Sequence, residues 1–163
     1  MKQISLRLFS SNEARNQDTE WALNQDVFLE IVEVLGQPEV DLFASSSNAK
    51  CSTFVSWYPD QGAWVIDAFT IDWSRLNFYA FPPFSIVLRV LQKIVLDKAK
   101  GIVVVPHWEA QSWYPLFTKL ATSQLLFFGP SNVLLSSFSE QAPHHPLSNS
   151  LTLVAAVLSG RPS

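Results

Sequence analysis

A chain of 163 residues that is 48% hydrophobic, with six Trp and twelve Phe, can bury the core of one globular domain, which excludes a disordered chain. Eleven basic against fourteen acidic residues leave a net charge of −3, so no whole-domain field draws the chain onto a phosphate backbone, and any nucleic-acid binding is local or borrowed from a neighbouring domain. A single cysteine, Cys51, excludes an internal disulfide, and with only three His it argues against a Cys/His zinc site, so no metal is expected.

The opening MKQISLRLFSSNEARNQ lacks the apolar stretch of a signal peptide, and no run reaches the roughly 18 apolar residues of a membrane span. The expectation is an intracellular protein of cytoplasm or nucleus, with no membrane partner. Residues 1–19 are polar and of mixed charge and read as a linker or tail, cut from something longer. In EWALNQDVFLEIVEVLG the apolar residues Phe28, Ile31, Val32 and Leu35 recur at one-face spacing, predicting a helix capped by Asn24 or Asp26 and ended by Gly36.

EVDLFA then predicts a buried strand ending near Ala44, and Pro59 and Gly62 punctuate two short extended pieces within TFVSWYPDQGAWVIDAFTIDW. RLNFYAF predicts a second good strand. It runs into Pro82 and Pro83, which lack N–H groups and fix φ, and so mark a junction rather than an element interior. Residues 84–99 are amphipathic, with Val87, Val90, Leu91, Ile94 and Val95 on one stripe, Arg89, Lys93, Asp97 and Lys98 opposite, and Gly101 as the helix end.

IVVVP is apolar on both faces, as a central parallel strand should be, and a further helix is expected over 112–121. SQLLFFGP and NVLLSSF predict two strands split by a Gly129-Pro130 turn. The Pro-, Ser- and His-containing stretch 139–163 is expected to be a tail, with LTLVAAVL as an edge strand or the start of a next region. One α/β domain over 20–138 follows, its mainly parallel sheet covered by helices on both faces. Ligands of such sheets bind beyond the carboxyl ends of the strands, where DLFASSSN, AFPPF and VPHW fall.

AFPPF resembles the Asn/Asp-Pro-Pro-aromatic turn of methyltransferases that act on adenine N6 or cytosine N4. The resemblance implies that Pro82, Pro83 and Phe84 hold a flipped base. Phe81, however, stands where the family has a polar side chain, and it cannot accept the exocyclic N–H groups. DLFASSSN is similar to the Asp-Pro-Phe-Ala-Gly-Ser-Gly turn that binds S-adenosylmethionine, which implies that Asp41, Phe43 and Ala44 contact this cofactor. Ser45 and Ser47 replace glycines that permit positive φ and close approach of the backbone.

A longer resemblance covers about residues 18–129. The runs EWALNQDVFLEIVEVLGQPEVDLFASSSNAKCSTFVSW, DAFTIDWSRLNFYAFPPFSIVLRVLQKI and GIVVVPHWEAQSWYPLF look like the segment between the ribonuclease H and tyrosine recombinase regions of DIRS-type retrotransposon polyproteins, itself similar to phage-type Dam adenine methyltransferases. It implies a Rossmann-like, class I methyltransferase-type sheet, neighbouring polyprotein domains as partners, and DNA or an RNA/DNA hybrid of the element as ligand. It also implies that residues 1–19 are the linker after a ribonuclease H domain. Two functional readings follow: an N6-adenine methyltransferase-like domain whose motifs have degenerated, or a non-catalytic structural or nucleic-acid-associated module.

The remaining features have plain readings. Asp67 and Asp72 suit turns, and with Asp41 they lack the spacing and companion Glu of a two-metal nuclease, although Asp72 is the nearest alternative acid for catalysis. Trp73, Trp108 and Trp113 read as core or rim aromatics, because no Lys or Arg interleaves with them. His107 at a strand end reads as hydrogen-bonded, His144 and His145 as solvated, and Arg89, Lys93, Lys98 and Lys100 as a wet basic face.

Overall fold

A computed structural model describes residues 21–131, 134–137 and 150–162. The segments 1–20 and 138–149, the dipeptide at 132–133 and residue 163 lie outside the described residues, and with them His144, His145 and the expected linker.

The chain enters through a short strand β1 (Trp21–Leu23) and turns at Asn24 into helix α1 (Gln25–Leu35). Asn24 is the cap: its side-chain oxygen accepts from the amides of Asp26 at 2.8 Å and Val27 at 3.4 Å, an arrangement that contributes about 1 kcal/mol. Gly36 closes the helix at φ 103°, a conformation other residues reach only with strain. Strands β2 (Val40–Asp41), β3 (Thr53–Ser56) and β4 (Val65–Ile66) follow, then a 3₁₀ turn at Ala68–Thr70 and strand β5 (Asn77–Ala80).

After the two prolines, a 3₁₀ turn (Phe84–Ile86) leads into helix α2 (Val87–Asp97). Strand β6 (Lys100–Pro106), helix α3 (Tyr114–Leu120) and strands β7 (Leu126–Phe128), β8 (Leu135–Ser137) and β9 (Leu153–Ser159) complete the described elements.

Seven strands form one sheet in the order β4-β3-β2-β5-β6-β9-β7. The first five are parallel; β9 runs antiparallel to both β6 and β7. The protein is therefore α/β, with a mostly parallel mixed sheet. Alternate residues of the central strands enter two separate cores. Phe78, Ala80, Val103, Val105, Val154 and Ala156 meet α2 and α3 on one face, while Tyr79, Ile102, Val104, Leu153 and Ala155 meet α1 on the other. Helices thus cover both faces, as expected. A second, two-stranded sheet pairs β1 with β8, and the Asn24 amide extends it to the Leu134 carbonyl at 2.7 Å.

Several sequence expectations are corrected. The VDLFA strand ends at Asp41, not Ala44, because the Asp41 carboxylate captures the Phe43 amide at 3.3 Å and turns the chain out of the sheet. Val95 is exposed rather than part of the buried stripe of α2. That helix ends at Lys98, which adopts the left-handed conformation (φ 53°), while Gly101 lies inside β6. There a Cβ would come within 2.6 Å of the Phe78 ring on the neighbouring strand, so glycine at 101 is a packing requirement and not a helix stop.

Strand β6 has a parallel neighbour on one side only, since β9 flanks the other. The two strands around Gly129-Pro130 go to different sheets, β7 beside β9 and β8 beside β1. The late run LTLVAAVL is neither an edge strand nor an outlying piece. It is β9, paired with β6 in register from Lys100↔Ser159 to Pro106↔Leu153 and lying inside the sheet.

Candidate functional site

The strand order reverses direction between β2 and β5, and the crevice beyond the carboxyl ends of two such strands is where open α/β sheets hold ligands. The sequence places Asp41-Leu42-Phe43-Ala44 on one side of this crevice and Phe81-Pro82-Pro83-Phe84 on the other. Asp41, Phe43 and Phe81 do meet there, together with Asn48, Lys50, Tyr79 and, from β1, Ala22 and Leu23. The space left between them is about 10 Å³. A cavity of roughly 10–15 Å³ admits one water.

The turn after β2 spends its amides internally. The N–H of Phe43 goes to Asp41 Oδ1, that of Ala44 to the Val55 carbonyl, that of Ser45 to Asn48 Oδ1 at 2.7 Å, and that of Ser46 to Asp60 Oδ2 at 2.8 Å. The amides of Asn48 and Ala49 both donate to the Ser45 carbonyl, and that of Lys50 donates to Asp41 Oδ2 at 2.9 Å. Ser45 Oγ and Ser47 Oγ lie 3.0 Å apart. The positive-φ residues other than glycine among the described ones are Asp67 and Lys98, so Ser45 and Ser47 sit in ordinary backbone conformations. Such a turn offers no nest of free N–H groups to a ligand.

The electrostatics of the crevice follow from burial. Desolvation pushes the Asp41 carboxyl up to about 7, against the opposing pull of the Lys50 and Phe43 amides and the Lys50 charge. Burial lowers the Lys50 ammonium, partly offset by Asp41, and pushes the Cys51 thiol up to about 12, with Asp41 adding to the effect. The Tyr79 hydroxyl is raised well above its ordinary value, first by burial and then by Asp41 and Cys51; it is buried with no hydrogen-bond partner.

The remaining predicted residues divide between two aromatic groups. Phe43, just after β2, packs its ring 5.9–6.3 Å from those of Trp57 after β3, Phe69 in the turn after β4, and Trp73 ahead of β5. Trp73 is wholly buried, lies tilted against Phe78 with ring centroids 5.5 Å apart, and donates its indole N–H to the Ala68 carbonyl at 2.9 Å. Phe84 lies edge-on to Phe81 at 6.1 Å and to Trp108 at 5.2 Å, forming a second group beyond β5 and β6, and does not line the crevice. Pro82 and Pro83 are buried, and the Pro83 carbonyl is taken by the Ile86 amide at 3.1 Å.

His107 is held by the Tyr114 hydroxyl, 2.9 Å from Nδ1, with Glu109 3.5 Å from Nε2. Asp67 and Asp72 are turn residues: Asp67 accepts from the Phe69 amide, and Asp72 from the Ser74 amide and hydroxyl. The expected wet basic face splits. Arg89 lies 3.9 Å above the Phe69 ring, and Lys93 is paired with Asp97 at 2.8 Å, whereas Lys98 and Lys100 are exposed. Among the described residues, no group of three or more His, Cys, Asp or Glu is placed to hold a metal, and no helix is long and apolar enough to cross a membrane.

Sequence reasoning did not single out Tyr79, Lys50 or the β1 residues. Tyr79 was accessible through alternation, since it must face opposite to Phe78 and Ala80; Lys50 and Leu23 arrive through tertiary contacts that no local pattern encodes. Comparison with protein-family models gives no match, and neither does comparison with curated proteins.

Proposed function

We propose that this is a methyltransferase-type domain whose cofactor crevice has closed, serving as a non-catalytic module. Its origin, on this reading, is the segment between ribonuclease H and recombinase of a DIRS-type retrotransposon polyprotein. One observation carries the proposal: the crevice at the reversal of strand order is filled by Asp41, Phe43, Tyr79, Phe81 and Leu23, down to about 10 Å³.

The fold assignment has its own support. Reading outward, β4-β3-β2-β5-β6 has the 3-2-1-4-5 winding of a Rossmann-like sheet, and an antiparallel strand inserted ahead of the last one is the class I methyltransferase variant of it. Asp41 and the Pro82-Pro83 turn occupy the expected strand ends. Against surviving transfer to adenine N6 stand Phe81, which offers no acceptor to an exocyclic amine, and the committed amides of residues 43–46.

Isothermal calorimetry with S-adenosylmethionine and S-adenosylhomocysteine tests the proposal. No heat at millimolar cofactor is the expected result. Micromolar binding, about −8 kcal/mol, would overturn it and return adenine methylation to the front.

A further inference from the structure

A groove of about 600 Å³ lies at the opposite, amino-terminal edge of the sheet. It runs from Gln37 after α1, past Asn77 and Lys100 at the starts of β5 and β6, to Ser123 before β7 and Arg161 after β9. Its size falls within the range of about 300–1,000 Å³ usual for ligand sites. Among the described residues its charge is one-sided: Arg75, Lys100 and Arg161 line it, and no carboxylate does. On a chain of net charge −3 this concentration of cations is local, as the composition requires of any anion site.

None of these three cations is in an ion pair with another described residue. The ion pairs among the described residues are Lys93–Asp97 and His107–Glu109, and neither involves the groove. Asp72 feels the charge of Arg75, yet its oxygens are held by the Ser74 amide and hydroxyl, and it does not line the groove. Arg161 is preset: its Nε donates to the Lys98 carbonyl and its Nη2 to the Ser74 carbonyl, each at 3.2 Å, and among the described residues its other N–H groups have no partner. Asn77 is likewise fixed, donating from Nδ2 to the Gln37 carbonyl at 3.1 Å.

We infer that this groove is a binding site for a phosphate-bearing ligand, with Arg75, Lys100 and Arg161 as its anion contacts. A guanidinium held in place like that of Arg161, with Arg75 and Lys100 on the same wall, suits phosphate oxygens, whether on a free nucleotide or on a nucleic-acid strand. The inference is independent of whether the crevice at the other edge binds a cofactor.

The test uses the full chain and two probes at low salt: pyrophosphate by calorimetry, and a fluorescein-labelled single-stranded dodecamer by anisotropy. Lys100→Gln and Arg75→Gln should each weaken binding by about tenfold, and each should lower the salt slope for the dodecamer by about 1. Lys119→Gln, an exposed charge on α3 away from the groove, should change neither. Thermal melts of all three variants report that the fold is intact. Binding of both probes, or of pyrophosphate alone, with loss in Lys100→Gln supports the site and points to a free phosphate ligand; binding of the dodecamer alone, with the same loss, supports it and points to a strand. Failure of both probes to bind, or an equal loss in Lys119→Gln, overturns it.

Discussion

The two edges of the parallel sheet are built from opposite materials. At the carboxyl edge, Phe43, Trp57 and Phe69, and separately the Phe81-Phe84-Trp108 group, turn their rings on one another, and the turn amides are used within the protein. At the amino edge, Arg75, Lys100 and Arg161 line a groove that has no carboxylate in its wall among the described residues. Topology alone would assign ligands to the first edge. The side chains reverse that preference, because binding needs donors and space that internal contacts have not already consumed.

If the carboxyl edge is part of the core, the largest losses should come from it. Phe43→Ala removes a ring packed against those of Trp57, Phe69 and Trp73, and should cost about 3–5 kcal/mol in denaturant unfolding. A loss below about 1 kcal/mol would break the comparison at its strongest point.

Asp41 gives the next effect, and its sign is fixed by burial. With the folded carboxyl raised to about 7 from 3.8, the folded protein keeps a proton that the unfolded chain releases between those values. The resulting stabilisation is full below the unfolded value and lost as pH rises through the folded one, on the order of 4 kcal/mol in all. Unfolding free energies measured from pH 4 to 8 should therefore fall more steeply in the wild type than in Asp41→Asn. Parallel profiles would mean that Asp41 is not desolvated.

The amino edge should be more forgiving. Gly101→Ala pushes a methyl into the Phe78 ring and should cost about 1–3 kcal/mol. Lys98→Gly, which relieves a left-handed lysine at the end of α2, should stabilise by about 0.5–1 kcal/mol, seen as a small rise in Tm.

The sequence carried the locally encoded parts well. Asn24, the 28-31-32-35 spacing and Gly36 specify α1 because a cap, a face and a stop are short-range signals. The position of the crevice was legible too, since Asp41 and the Pro-Pro pair each mark a strand end. Its closure was not. Leu23 reaches it from β1, a strand held in place by β8 more than a hundred residues later, and Asp60 secures the Ser46 amide from fourteen residues away. Gly101 misled for a related reason: locally a glycine after a helix reads as a stop, while the Phe78 ring that requires it comes from another strand.

The placement of β9 also shapes how the sheet is made. Until Leu153–Ser159 has been synthesised and docked, β6 presents Ile102, Val103, Val104 and Val105 along an unpaired backbone edge. An apolar edge of that kind recruits other strands, including those of neighbouring nascent chains. The hazard is greatest during synthesis, and the strand that removes it follows β6 by more than forty residues, the last of the described strands in chain order.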